Sequence, residues 1–450
     1  MFNAKRASVV TTTFAYILTA GCGGATGLQP SSPLASNPNA TVNGEGSSLG
    51  LYPLVADEKQ RAHPTNYVIE DLGTLGGTYS IAVQLSNSGF VTGISNLPGD
   101  TAQHAFLWRK GLMTDLGTLG GPSSGEGEPA NENGDVAVFA QTSNQDPLGE
   151  DFCFDIPFPS HLTCLPFVWR NGVKIVLPTL GGYNAAGGWI NNRGEVAGVA
   201  ENTTPNRTCG PNQVLHSKPV VWQLGQPVRI REIPTLPRDT DGIAVAINDH
   251  DQIAAFSGRC SLESVPIHGY FWQNGTLTNM GALGGTQSLP QAINNKGEVV
   301  GVANVRGDKF AHAFFWKRGR GMADLGTLEG DVMSAAYGIN EHMQIVGESD
   351  DANGKQRPYI WQNGVMTDLN TLIPATSPLF LLVATGINNR EEISGFGLQT
   401  TTGEIHPFLA IPSNSSIQRP ARVSRPRLSA RLREFLRGFE HNRMRFFTHG

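Results

Sequence analysis

Four histidines, His104, His268, His312 and His406, recur in one setting, each heading a short run of apolar and aromatic residues such as "HAFLW" or "HAFFW". A ring of histidines suggests a metal. The run they head is the third strand of a repeat set out below, about 10 Å outside the innermost strand, so equivalent histidines of adjacent repeats diverge too far to share one ion at ~2 Å bonds. A structural hydrogen-bonding role is expected for them, with Lys218 and Arg357 at the same place in two other repeats. Cysteines are the other candidate ligands. Cys153 and Cys164 share one insertion, while Cys209 and Cys260 occupy equivalent places in neighbouring repeats. A zinc site is the sharper reading, but no Cys-x-x-Cys spacing exists. In an exported chain the four read as two disulfides, one within a loop and one between loops.

Other motifs carry weaker signals. "RDTDG" at Arg238 and "SDDANG" at Ser349 resemble calcium loops without the full spacing or the distal Glu. Trp189 stands where the other repeats have Gln84, Pro129, Ala246, Ala292, Gly338 and Gly386. A lone large aromatic there could stack on a ligand such as a sugar, or fill a gap beside Gly187 and Gly188. No Ser-His-Asp or paired-carboxylate motif can be picked out, so no catalytic residue is assigned. The heptapeptide "DLGTLGG", at Asp71 and again at Asp115, invites a phosphate-loop reading. No helix-patterned segment follows either copy, which excludes it as a nucleotide-cofactor site; no cofactor is expected.

The elements that must position these residues follow from repetition. Worn copies of the heptapeptide begin at Val176, Glu232, Asn279, Asp324 and Asp368, making seven in all. Each unit holds four strand-length segments rich in β-branched and aromatic residues, bounded by turn residues. In the fifth these are Ser288–Asn294, Gly297–Ala303, His312–Trp316 and, from just upstream, Gly275–Gly281. Four strands per repeat is a propeller blade. The first turn opens on Asn131, Asn191, Asn248, Asn294, Asn340 or Asn388, and on Ser86 in the remaining unit, all residues that bond the backbone two positions on. Asn-Gly hairpins join third to fourth strands, and Trp108, Trp169, Trp222, Trp272, Trp316 and Trp361 end third strands as packing between blades. "DLGTLGG" is then the passage from one blade's outer strand to the next blade's inner one, with Leu75, Leu119, Leu180, Leu236, Leu283, Leu328 and Leu372 anchoring the crossing. The chain enters at Asn66–Gly73, an outer strand with no blade before it, and leaves at Ile405–Ala410, a third strand with no fourth after it. The first should complete the last blade. The predicted fold is an all-β, seven-bladed propeller over residues 66–411, closed by its N-terminal strand.

The combination of "DLGTLGG", "AINNKGEVVG" and "HAFLW" resembles the HAF-repeat family of extracellular bacterial proteins over roughly Asn66 to Ala410, with insertions in blades two to four. The resemblance implies an exported repeat protein and transfers no catalytic residue.

Outside the repeats, residues 1–22 read as an export signal, with Lys5 and Arg6 before an apolar run too short for a confident membrane span. "LTAGC" resembles the lipobox of bacterial lipoproteins, with Thr19 where an aliphatic residue is usual, so Cys22 is either lipidated or lost in plain secretion. Residues 23–65 read as a Gly/Ser/Pro/Asn linker. Residues 412–450 form a basic tail. Nine arginines against Glu434 and Glu440 lie in residues 419–450, so the formal charge of −5 conceals a body of about −12 that should not favour nucleic acid. In the tail, Leu428, Leu432, Phe435, Leu436 and Phe439 share one face of an amphipathic helix, suited to a membrane surface, a partner, or a solvated end.

All long loops fall on one face of the predicted ring, the one carrying second-to-third-strand and blade-to-blade connections. Binding is expected there. The chain reads as an exported binding module, surface-attached as a lipoprotein or secreted to the periplasm or medium, taking an extracellular ligand, glycan or protein. The rival readings are a polysaccharide hydrolase or lyase at the channel mouth and a structural envelope component. Ionisable side chains clustered at the axis would favour an enzyme; amide-rich and apolar surroundings would favour binding.

Overall fold

A computed structural model of the chain describes residues 66–153, 160–210, 213–260, 267–413 and 427–431. The export signal, Cys22, the linker and most of the basic tail lie outside the described residues. What is described is an all-β ring of seven four-stranded antiparallel sheets. The first blade runs from its inner strand Ser80–Leu85 through Val91–Asn96 and Gln103–Arg109 to its outer strand Leu112–Asp115. Five more follow in the same order. The seventh takes Leu379–Ile387, Ile393–Gln399 and Ile405–Ser413 from the end of the array, and its outer strand is Asn66–Asp71. Asn66 pairs with Ser413 and Asp71 with Phe408. The expected closure is therefore present, and no inner or outer strand of the ring lacks its sheet.

Each inner strand carries a register shift a few residues before its turn, for example between Gly187 and Trp189 or Ala336 and Gly338. The shift sets an extra residue at the axis and brings the inner backbone against the second strand. At Gly198 a Cβ would sit 2.2 Å from the Ala186 carbonyl oxygen, so glycine is required there. Between blades the packing is apolar. The third-strand tryptophans lie in these layers, Trp108, Trp222, Trp272, Trp316 and Trp361 all at 5% exposure or less, with Trp169 partly buried against Val136 and Phe167.

The repeated motif acquires its explanation in the blade itself. The Asp of "DLG" accepts the N–H of the glycine two residues on, from Gly73 to Asp71, Gly117 to Asp115 and Gly326 to Asp324. The same carboxylates face the histidine of the adjacent third strand. His104 Nδ1 lies 2.9 Å from Asp115, His312 Nδ1 2.9 Å from Asp324, and His406 Nδ1 2.9 Å from Asp71. Where the outer strand ends in Asn279 instead, His268 turns to Asp239 at 3.0 Å; in the sixth blade Arg357 holds Asp331 at 2.9 Å. The histidines are thus used by carboxylates of their own blades. Burial pushes the Asp115 carboxyl up, but the hydrogen bonds from His104 and Gly117 outweigh it and leave the group below the usual carboxylate range.

Candidate functional site

The two faces of the ring differ in what they present. On the short-turn face, the turn asparagines do more than cap their own turns. Asn191 Oδ1 accepts the N–H groups of Arg193 and Glu195, as the turn chemistry requires. Its Nδ2 then donates to the Asn248 carbonyl of the next blade at 3.0 Å. Asn248 repeats this to Asn294 at 2.8 Å, Asn294 to Asn340 at 3.1 Å, Asn340 to Asn388 at 3.0 Å and Asn388 to Ser86 at 3.3 Å. A second belt runs above it, in which the following residue's N–H donates to the next blade's side chain: Glu132 to Asn192, Asn192 to Asp249, Asp249 to Asn295 and onward to Asn87. Local turn chemistry had accounted for the asparagines; their inter-blade donation had no sequence signal, since it spans a whole repeat.

Inside these belts lies a depression of about 140 Å³ on the axis, walled by the Asn87, Asn192, Asn295 and Asn389 amides and the Glu132, Asp249 and Glu341 carboxylates, with Trp189 in its lining. Trp189 is half-buried. Its ring reaches across the axis to the apolar layers between blades 3 and 4, 4 and 5, and 5 and 6. Beside Gly188, the Glu128 side chain of blade 2 lies against the backbone. Opposite, Gln84 Nε2 donates to the Tyr337 carbonyl at 3.0 Å. The lining thus combines amides and three carboxylates with Trp189 and apolar residues such as Ile190, Ile247 and Ile339.

The long-loop face carries the cysteines. Cys153 and Cys164 form one disulfide within the blade 2 insertion, and Cys209 and Cys260 form the other between blades 3 and 4. Both bonds point to an oxidising compartment. Beneath the first, Phe152 is 1% exposed and packs with Phe256, Leu289 and Tyr337, so an insertion loop occupies this end of the ring. Beside it, Glu150 and Glu201 are fully buried. Glu201 accepts from Asn184 N at 2.9 Å and Nδ2 at 3.1 Å; Glu150 accepts from Val214 N. The two carboxyls also meet each other, and burial first, then the charge of Glu150, pushes Glu201 up to about 8. In blade 6, Glu348 replaces an apolar core residue and bonds Tyr337 Oη at 2.7 Å and Gln356 Nε2 at 2.9 Å.

The calcium-like stretches are internal devices. Asp241 is buried and accepts from Asn206, Gln213, Ser217 and His216, while Asp351 caps its own turn through Asn353 and Lys355. Among the described residues no group of three or more His, Cys, Asp or Glu could hold a metal ion.

No family model and no curated protein matches the sequence. The fold is shared with solved structures at low identity. A virginiamycin B lyase from Staphylococcus aureus is 11% identical with a TM-score of 0.44, covering 77% of this chain and 99% of that one. An acylaminoacyl peptidase from Pyrococcus horikoshii is 11% identical at 0.41, covering 70% and 50%; a Trypanosoma rangeli sialidase is 8% identical at 0.37, covering 76% and 59%. The chain spans half of the peptidase and under two thirds of the sialidase. These neighbours are diverse propeller proteins, and no activity carries over from them.

Proposed function

We propose that the chain is an exported, non-catalytic binding module whose ligand is a carbohydrate seated at the axis of the short-turn face. The observation that carries this reading is Trp189, the large aromatic set alone among seven equivalent positions, half-exposed in a depression rimmed by amides and carboxylates. A sugar presents an apolar C–H face and a rim of hydroxyls; an indole face and planar amide or carboxylate groups complement the two. Amide and apolar residues outnumber the carboxylates Glu132, Asp249 and Glu341 in the lining, which favours binding over the polysaccharide hydrolase or lyase. The two disulfides support an extracytoplasmic setting.

This placement differs from the expectation that the long-loop face binds. The loops there are stapled by disulfides and turn Phe152 inward, whereas the cavity and Trp189 share the other end. A thermal-shift screen of the full chain against monosaccharides and disaccharides, with calcium and a chelator as controls, tests the reading. A saturable shift that disappears in Trp189→Ala is expected. Shifts that persist in that variant, or none with any saccharide, would overturn it.

A further inference from the structure

The axial depression is small. Pockets that hold a ligand by themselves run to roughly 300–1,000 Å³, and this one measures about 140 Å³. A ligand stacked on Trp189 therefore extends beyond it, and the surface offers one continuation. A cleft of about 410 Å³ opens between blades 2 and 3 on the same face, sharing Asn131 and Asn192 with the depression.

The cleft exists because blade 3 departs from the repeat. Elsewhere the third-to-fourth-strand hairpin is tight, as at Asn171–Gly172 and Asn274–Gly275; in blade 3 the strands Leu215–Gln223 and Arg229–Glu232 are joined by residues 224–228. Leu224, Gly225 and Gln226 of this longer turn form one wall. The other is Asn133, Arg170 and Ile175 of blade 2. Trp189, the longer hairpin and the cleft are thus departures of a single blade, on a single face. In an array whose shared residues are accounted for by architecture, that concentration marks use.

The wall chemistry selects a ligand class. Arg170 is engaged by Asp135 through two bonds of 2.9 and 2.7 Å, and Arg193 by Glu195 at 3.0 Å through Nε. Paired charges present no net field to an ionic ligand. What remains are the amides of Asn133 and Gln226 and the apolar flanks of Ile175 and Leu224, both half-buried. Amides alternating with apolar flanks suit hydroxyl rims and ring faces of successive sugars.

We propose that the cleft between blades 2 and 3 is a second subsite, so that the ligand is an extended neutral oligosaccharide with a terminal ring on Trp189 and further units running over Asn192 into the cleft. This rests on the carbohydrate reading of the axial depression, and the test separates the two. Malto-, cello- and manno-oligosaccharides of one to six units are titrated calorimetrically into the full-length protein, into Trp189→Ala and into the double variant Asn133→Ala/Gln226→Ala, whose replaced side chains are both exposed. For the ladder that binds, affinity should rise with length by about tenfold or more overall, and the double variant should lose about that factor for long chains while binding the shortest as the wild type does. Short-chain binding with no gain from length would overturn the cleft and leave the axis standing. Long-chain binding unchanged in the double variant would do the same. Binding of long chains that survives Trp189→Ala would overturn the axis, and with it the continuous path. No binding by any of the three ladders would overturn both.

Discussion

His406 Nδ1 stands 2.9 and 3.0 Å from the two carboxylate oxygens of Asp71, joining residues 335 positions apart in the chain across the seam of the ring. The same pair in blade 1, His104 with Asp115, spans 11 positions. One geometry thus serves as a local hairpin clasp in one blade and as the ring's closure in another.

His406→Ala should therefore destabilise more globally than His104→Ala. A charge-assisted pair of this kind is worth about 1–3 kcal/mol when one partner is removed. The loss should show as faster amide exchange in Asn66–Asp71 together with a lower Tm. Protection of that strand equal to wild type would sink the idea that the pair holds the seam.

Stability should fall as pH rises from about 4.3 to about 8. Glu201 has its folded pKa raised to about 8, by burial first and then by Glu150, against an unfolded value of about 4.3. A group with a raised folded pKa contributes stability fully present below its unfolded value and lost as pH rises through the folded one. Glu201→Gln keeps the shape and removes the charge, so the variant should hold its Tm between about pH 5 and 8, where the wild type declines. Parallel profiles would remove Glu201 from the account.

The disulfide between Cys209 and Cys260 closes 51 residues, against 11 for Cys153 and Cys164. On loop-closure grounds the longer bridge stabilises more, by about 1.4 kcal/mol. Cys209→Ser/Cys260→Ser should lower Tm further than Cys153→Ser/Cys164→Ser, measured without reductant. The reverse order would show that the packing of Phe152, and not chain entropy, governs the insertion.

Part of the tail clasps the ring a second time. Leu428 packs on the layer between blades 7 and 1, Ser429 N donates to Gly403 O at 2.9 Å in blade 7, and Arg431 pairs with Asp100 of blade 1 at 2.8 Å. Truncation after Ser413 should lower Tm, and Leu428→Ala alone should cost about 1 kcal/mol. Identical melts for the truncated and full chains would show that these contacts contribute nothing.

Blade number, strand order and closure were legible because they rest on local rules. Asn-Gly hairpins, Asx turns and alternating β-branched residues act within a few positions, and a sevenfold repeat displays each rule several times over. The seam was legible from counting: an outer strand at Asn66 with no blade and a third strand at Ile405 with no partner. The disulfides followed from the cysteines' places in the repeat.

The site was less legible. Trp189 stood out by substitution, but its position before the short turn already placed it at the end of the ring opposite the long loops, where binding had been expected. That the insertions of blades 2 to 4 bury Phe152 and cross-link, and that blade 3's longer hairpin opens a cleft, are packing outcomes with no local signature. The asparagine belts show the same division. Each Asn is chosen locally, by its turn; that its remaining N–H group meets the next blade's carbonyl depends on how closely neighbouring blades stand around the axis. Sequence by itself determined which strands form and in what order, since those choices are made by adjacent residues. Tertiary structure alone decided what faces the axis and which loops stay open, since those are set by contacts between residues a full repeat or more apart.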